Sequence, residues 1–345
     1  MHVHGGDIYG NEVELDFSAN LNFLGMPEAV RQAAKAGVDA SEHYPDPFCR
    51  KLREAISLSE GVPAESVLCG NGAADLIFGL ALAKKPKKAL LWSPGFYEYE
   101  QALRTVGCEI TFLPLRREED FRPQEETLSQ IEPGIDLVFF CNPHNPTGQT
   151  ASGSFLRKLL AQCEAAGAFC VVDECFLDFV DEEERASAKA MLGDHPGLFI
   201  LKAFTKLYAM AGLRLGYGLC SDADFLAQMK QVMQPWNVSV PAQMAGIAAL
   251  KETGYVRRFQ ALLREERRFL KQGLSALGFR IYGSKANFIF FEGPEDLVEF
   301  SKRKGILIRD CSNYRGLRPG YYRIAVRSRE ENLRLLQVFR ERMEP

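Results

Sequence analysis

The sequence lacks the features that would assign it to a membrane or to a nucleic acid. No apolar run approaches the ~18 residues that a bilayer-spanning helix needs, and the start MHVHGGDIYG has no basic stretch followed by an apolar core, as a secretion signal would. The net charge is only −3, so no bulk positive charge favours nucleic acid or anionic lipid. We therefore expect a cytoplasmic protein with no nucleic-acid partner and no membrane partner.

Paired disulfide or metal-binding motifs are also missing. The nine cysteines are odd in number, and none of them forms a CxxC pair. Several lie within apolar runs, among them Cys141, Cys170 and Cys220, which is typical of reduced thiols in a protein core. His2 and His4 are too few for a metal site. The sequence therefore predicts no disulfide framework and no metal.

What the sequence does contain is an alternation of short apolar runs with helical segments. Such alternation predicts an α/β fold, with a mainly parallel sheet covered on both faces. A length of 345 residues suggests about two domains. We predict an N-terminal arm at 1–30, a large domain at 31–240 and a smaller α+β domain at 241–345. The predicted strands are Val67–Cys69, Ala89–Trp92, Ile110–Pro114, Leu137–Cys141, Phe169–Val172, Phe199–Leu201, Asn287–Phe291 and Tyr322–Val326.

The most informative stretch is 198–220, in which two apolar runs enclose Lys206. An amine in apolar surroundings loses hydration, which favours its neutral and nucleophilic form. Thr205 offers a hydroxyl and Arg214 a planar set of donors, and both groups suit a phosphate. The alternative is a lysine whose stem packs while its ammonium reaches water.

Three other segments stand where a strand ends. Gly70–Ala74 precedes a predicted helix, where free N–H groups favour a phosphate, although a plain turn is the alternative. Asn145 lies in the proline-rich turn NPHNPTG. A rigid turn here would hold Asn145 at the carboxyl end of the strand, where α/β sheets bind ligands. An ordinary Asn-Pro turn is the alternative. Asp173 ends a buried strand, and a buried carboxylate is costly unless it has a partner. The alternative is that Asp173 caps the helix that follows.

Taken together, these segments resemble the fold type I enzymes of pyridoxal 5′-phosphate (PLP), the aspartate aminotransferase superfamily. The resemblance covers nearly the whole chain, and it implies an aspartate-aminotransferase-like α/β fold, PLP as cofactor and a homodimer with shared active sites. In this family the lysine that matches Lys206 carries the cofactor. The resemblance also implies cofactor contacts by Gly72, Ala73, Ala74, Phe96, Asn145, Asp173, Thr205 and Arg214, and by Tyr44 toward the neighbouring subunit.

Two branches of the family fit, the threonine-phosphate decarboxylases of cobalamin biosynthesis and the histidinol-phosphate aminotransferases. The arm sequence, a phenylalanine at Phe176 and a second arginine at Arg327 resemble the decarboxylases, which implies a small phosphorylated amino acid as substrate. An aminotransferase stays open as the alternative, and a non-catalytic PLP-binding sensor is a remote one. The substrate contacts that the resemblance implies are His4, Gly5, Gly6, Asn20, Arg323 and Arg327.

Overall fold

The structure is a computed structural model that describes residues 4–344. His2 and the rest of 1–3 lie outside the described residues, as does residue 345. The strands are β1 (Leu15–Asp16), β2 (Val67–Gly70), β3 (Lys88–Ser93), β4 (Glu109–Pro114), β5 (Leu137–Cys141), β6 (Phe169–Asp173), β7 (Leu198–Ala203), β8 (Gly216–Leu219), β9 (Arg280–Tyr282), β10 (Phe288–Glu292), β11 (Ile306–Leu307), β12 (Arg309–Asp310) and β13 (Tyr321–Ala325).

The α-helices alternate with these strands in the first part of the chain and become longer toward its end. They are α1 (Glu28–Asp39), α2 (Arg50–Glu60), α3 (Gly72–Lys84), α4 (Tyr97–Thr105), α5 (Gly153–Ala166), α6 (Phe204–Leu207), α7 (Ala223–Val232), α8 (Val240–Ala249), α9 (Thr253–Ala276), α10 (Leu297–Arg303) and α11 (Arg329–Met343).

A seven-stranded sheet forms the centre of the molecule, in the order β2-β8-β7-β6-β5-β3-β4. The strands from β7 to β4 pair in parallel, and β8 pairs antiparallel with β7 and β2. Every residue of β5 and β6 is buried, as expected for strands covered on both faces. The predicted α/β class with a mainly parallel sheet is confirmed.

Helix α5 illustrates how the sequence produces these layers. The Ser152 side chain accepts a hydrogen bond from the backbone N–H of Phe155 at 3.1 Å and so caps the helix. Leu156, Leu160 and Cys163 recur at helical spacing and are all buried. These side chains form the apolar face with which the helix packs on the rest of the protein.

The C-terminal part of the chain forms an antiparallel sheet in the order β12-β13-β10-β9. A separate two-stranded ladder pairs β1 in parallel with β11, which ties the N-terminal segment to this part of the chain. The limits of the arm and of the two domains stay predictions.

All nine cysteines lie in the described part of the chain, where they are buried and unbridged. Among residues 4–344, no helix is long and apolar enough to cross a membrane.

Candidate active site

A cavity of about 570 Å³ lies at the carboxyl ends of β5, β6 and β7, the edge where α/β sheets bind ligands. It brings together most of the predicted site residues: His4, Gly5, Gly6, Asn20, Ala73, Ala74, Phe96, Asn145, Asp173, Thr205, Lys206, Arg214 and Arg323. Residues from the N-terminal arm, the central sheet and the C-terminal sheet thus line one cavity.

Lys206 lies on the short helix α6, directly after β7. Its Nζ stands 5.5 Å from the centre of the Phe176 ring, within the range of a cation–π contact. The arm fixes the backbone here, because the Asn22 N–H donates to the Lys206 carbonyl at 3.0 Å and the Asn22 side chain donates to the Leu207 carbonyl at 2.8 Å. The backbone that carries the amine is therefore fixed both by its connection to β7 and by the arm.

The start of α3 and Arg214 form a group of hydrogen-bond donors. Gly72 has φ +80°, and a Cβ at this position would lie 2.7 Å from Arg214 Nη2. Glycine therefore permits both the turn and the close approach of the guanidinium. Ala73, Ala74, Thr205 and Arg214 line the cavity, whereas Gly72 does not. Backbone N–H groups at the start of a helix, a hydroxyl and a guanidinium are a donor set that fits a phosphate.

Asp173 is buried, and both of its carboxylate oxygens have partners. The Tyr99 hydroxyl donates to Oδ2 at 2.5 Å, and the Cys175 N–H donates to Oδ1 at 2.9 Å. Tyr99 stacks on Phe139 with 4.7 Å between ring centres, and its edge meets Phe96 at 5.4 Å. Burial, together with the charge of Asp173, raises the pKa of Tyr99 well above its ordinary value, so the phenol stays a donor.

The turn after β5 presents Asn145 to the cavity. The His144 backbone closes this turn, since its N–H donates to the Gln149 carbonyl at 2.7 Å and its carbonyl accepts from the Gly148 N–H at 2.6 Å. Burial lowers the pKa of His144 to about 3, so this ring is neutral. Asn145 Oδ1 accepts from Arg323 Nη1 at 2.5 Å, which joins the turn to the C-terminal sheet.

Two buried arginines enter from the C-terminal sheet. Arg323 also donates to the Ser18 carbonyl at 3.2 Å, and its Nε is buried without a hydrogen-bond partner. Arg309 donates to the Asn313 side chain at 2.8 Å and to the Asp310 carbonyl at 2.5 Å. Neither contact neutralises the Arg309 charge, so this guanidinium and that of Arg323 make the cavity wall attractive to anions.

The arm covers the cavity of its own chain. The Gly6 N–H donates to Ser18 Oγ at 2.7 Å, and a Cβ at Gly5 would overlap the Ser18 carbonyl. His4 Nε2 lies 3.2 Å from Glu98 Oε1. The Asn20 carbonyl accepts from the Asn287 side chain at 2.9 Å, while Asn20 Oδ1 is buried without a partner.

Besides Gly72, two predicted residues do not line this cavity. Tyr44 is 78% exposed and packs against Trp236 with 4.7 Å between the ring centres, outside the site of its own chain. Arg327 donates to Glu331 Oε1 at 2.9 Å and to the Asp16 carbonyl at 2.9 Å. Arg327 thus lies beside the cavity, where it supports the arm strand.

Several residues of the site were not predicted from the sequence, among them Glu98, Tyr99, Arg309 and Tyr314. Glu98, Arg309 and Tyr314 line the cavity, and Tyr99 bonds Asp173. Glu98 and Tyr99 follow Phe96 in the segment PGFYEY, so their proximity to a predicted site residue was a usable signal. Arg309 and Tyr314 lie in a segment without a motif, and only the fold brings them here.

A lysine on a turn after a central strand, with a buried acid, an asparagine and a phosphate-type donor set around it, defines a PLP-dependent enzyme of fold type I. The comparisons with known proteins agree with this class. The family model "Aminotransferase class I and II" matches residues 12–339. The chain belongs to this family, whose cofactor is PLP.

Within the family, the chain is similar to members of two kinds. It is 37% identical to the threonine-phosphate decarboxylase of Salmonella typhimurium, over 98% of this chain and 96% of that protein. It is 31% identical to the histidinol-phosphate aminotransferase of Methanosarcina mazei, over 96% and 89% of the two chains. The crystal structure of the histidinol-phosphate aminotransferase from Clostridium acetobutylicum has a TM-score of 0.88 and 29% identity, and the match covers 95% of this chain and 99% of that chain.

Proposed function

We propose that this protein decarboxylates L-threonine O-3-phosphate to aminopropanol phosphate and CO₂, a reaction of cobalamin biosynthesis. One observation carries the proposal: besides Lys206 and Arg214, three basic side chains from separate elements line the cavity. They are His4 from the arm, Arg309 from β12 and Arg323 from β13. A substrate with both a phosphate and a carboxylate needs several such donors. The similarity to a threonine-phosphate decarboxylase along almost the whole chain supports the same substrate.

The cavity residues fit the cofactor. We infer that Lys206 attaches it covalently and that Thr205, Arg214 and the start of α3 bind its phosphate. Asp173, with both oxygens already oriented by Tyr99 and the Cys175 N–H, would pair with the ring nitrogen. Bound PLP supplies an electron sink for the bond that breaks at the α-carbon of the substrate.

Further cofactor contacts follow from the same arrangement. Asn145 would donate to the ring hydroxyl through its amide N–H₂, because its Oδ1 already accepts from Arg323. Phe96, which lines the cavity, would stack on the ring. Each group is held by the surrounding structure, so little reorganisation is needed on binding.

The arginines and the arm decide which bond is broken, because the bond that stands perpendicular to the cofactor ring is the one that is activated. If the carboxylate were held perpendicular, CO₂ would be lost and the α-carbon would take up one proton. If the α-hydrogen were held perpendicular, Lys206 could move that proton, as transamination requires. Arg323, fixed between Asn145 and Ser18, and the Gly5–Gly6 segment against Ser18 would set the pose of the substrate.

Histidinol-phosphate aminotransferase is the second candidate. Its support is the similarity to the aminotransferase of Methanosarcina mazei and to the structure from Clostridium acetobutylicum. Both candidate substrates carry a phosphate and an amine, so the cationic cavity serves either of them.

The test is to incubate the PLP-loaded protein with L-threonine O-3-phosphate and to assay CO₂ and aminopropanol phosphate. In parallel, histidinol phosphate and 2-oxoglutarate are assayed for glutamate. We expect CO₂ and no glutamate. Glutamate without CO₂ would replace the decarboxylase with the aminotransferase.

The assignment of Lys206 has its own test. We expect Lys206→Ala to lose the absorbance of the lysine-bound cofactor, and borohydride should no longer fix PLP to the protein. Lys251→Ala, at an exposed lysine, is the control and should behave as the wild type. Retention of a borohydride-fixed cofactor in Lys206→Ala would contradict the assignment.

We further propose a homodimer with shared active sites. Tyr44, Phe48 and Trp236 are exposed aromatic side chains, of the kind that protein interfaces cover. In such a dimer Tyr44 would reach the cofactor phosphate of the neighbouring subunit. The arm, the large domain and the small domain would keep the limits 1–30, 31–240 and 241–345.

A further inference from the structure

We propose that Glu98 determines the anion specificity of the cavity, because it takes up a proton when a phosphate-type dianion enters and then donates a hydrogen bond to that dianion. The proposal deepens the proposed function and rests on it for the identity of the natural ligand. It concerns a side chain that has no part in the cofactor contacts described above.

The first support is the position of Glu98. It lies in the first turn of α4, two residues after Phe96, and lines the cavity together with His4, Arg309 and Lys206. Its side chain is only 14% exposed. Apart from its contact with His4, an ionised carboxylate beside Arg309 would repel an anionic ligand.

The second support is an oxygen without a partner. Glu98 Oε1 contacts His4 Nε2 at 3.2 Å, whereas Oε2 is buried and accepts no hydrogen bond in the described part of the chain. An unpaired buried carboxylate oxygen is costly. Protonation at Oε2 removes that cost and turns the oxygen into a donor.

The third support is the charge around this carboxyl group. Burial raises the pKa of Glu98 above its ordinary value, while the positive charges of His4, Lys206 and Arg309 oppose that rise. Tyr314 also faces it, and Asp173 and Arg323 lie elsewhere in the cavity. A bound dianion offsets the positive charge near Glu98, including that of Arg309, so its arrival favours the protonated form of Glu98.

The binding step is balanced in charge and atoms. The protein binds one dianion and takes one proton from solvent. That proton resides on Glu98 Oε2 and is shared with an oxygen of the ligand. An O–H donor to a charged oxygen is among the stronger hydrogen bonds in proteins. A ligand without a dianionic group, such as the amino alcohol that lacks the phosphate, does not favour protonation of Glu98 and binds less well.

Sulfate is the probe for this proposal, because it is a dianion that does not itself titrate near neutral pH. Its binding to the PLP-loaded protein is measured by calorimetry in two buffers of different ionisation enthalpy, which gives the number of protons taken up. We expect wild-type protein to take up protons and Glu98→Gln to take up about one fewer. The affinity of Glu98→Gln for sulfate should also fall less steeply with rising pH.

Two control variants isolate the effect. Glu54→Gln removes an exposed carboxylate on α2 and should match the wild type. His4→Gln removes the other titratable group of the contact and should still take up the Glu98 proton. An unchanged cofactor spectrum in each variant shows that the site is folded.

Equal proton uptake in wild type and Glu98→Gln would overturn the proposal, as would the loss of all uptake in His4→Gln alone. The decarboxylation assay decides the proposed function separately. The protein can fail to decarboxylate the substrate while sulfate binding still protonates Glu98. A failure of the proposed function is therefore distinguishable from a failure of the proposed role of Glu98.

Discussion

At the scale of single residues, the contact between Tyr99 and Asp173 governs the proposed chemistry. The phenol orients the carboxylate from a stacked position on Phe139. We expect Tyr99→Phe to lower kcat by about 10- to 100-fold, because a hydrogen bond to a charged group contributes about 1.5–3 kcal/mol. The KM should change little, since Tyr99 does not line the cavity. Steady-state kinetics of the PLP-loaded variant test this, and an unchanged kcat would contradict it.

Site residues were predictable where the chemistry lies in a local motif. Lys206, Asn145 and Asp173 each follow a buried strand in a recognisable segment, and the structure brings all three into one cavity. Arg309 was not predictable, because its position depends on the pairing of β12 with β13. A single arginine in a charged stretch is indistinguishable from surface charge until that pairing is known.

At the scale of elements, a buried ion cluster joins α2 to the central sheet. Glu60 at the end of α2 lies 3.0 Å from Lys202 on β7 and 2.8 Å from Lys189, and it accepts a hydrogen bond from the Tyr217 hydroxyl. Although burial opposes it, the charge of Lys202 and the bonds from Lys189 and Tyr217 lower the pKa of Glu60 to about 2. The cluster therefore depends on an ionised Glu60.

We expect Glu60→Gln to reduce the free energy of unfolding by about 1.5–3 kcal/mol at pH 7, because Lys202 loses its nearer carboxylate and keeps only Asp178, at 3.7 Å. The folded pKa lies below the ordinary value, so this stabilisation is complete above about pH 4.5 and is lost as the pH falls toward 2. Denaturant unfolding at pH 7 and pH 3.5 tests the sign, with Glu54→Gln on the same helix as control. A difference from wild type that grows toward pH 3.5 would contradict it.

The arm is a second element with a clear test. We expect Gly5→Ala to raise the KM for the phosphorylated substrate by roughly 10-fold, because the added methyl group overlaps the Ser18 carbonyl that Arg323 also contacts. The cofactor spectrum should stay unchanged. Gly254→Ala is a suitable control, since a Cβ there meets open space, and an unaltered KM in Gly5→Ala would show that the arm does not set the substrate pose.

Elements with a strong periodic pattern were predicted well, and short ones were not. The predicted strand Leu137–Cys141 matches β5, and the predicted strand at Asn287–Phe291 differs from β10 by one residue at each end. The two-residue strands β11 and β12 exist only through their partners. Such strands carry too few residues for a pattern of their own.

At the scale of the whole molecule, the proposed dimer predicts complementation. Lys206→Ala should be inactive, and Tyr44→Ala should bind PLP more weakly. When the two variants are unfolded together and refolded, a mixed dimer contains one site with an intact Lys206 and an intact Tyr44 from the other chain. We expect activity above the sum of the separate variants. No gain would contradict shared sites, and light scattering of the wild type checks the dimer directly.

The contact between Arg323 and Ser18 joins residues that are 305 positions apart in the chain. Ser18 and all seven strands of the central sheet precede Arg323 in the order of synthesis. Because contacts between distant residues form late, this sheet can assemble while the cavity still lacks Arg309 and Arg323. The cavity therefore gains these two guanidinium groups only after β13 has been synthesised and has paired.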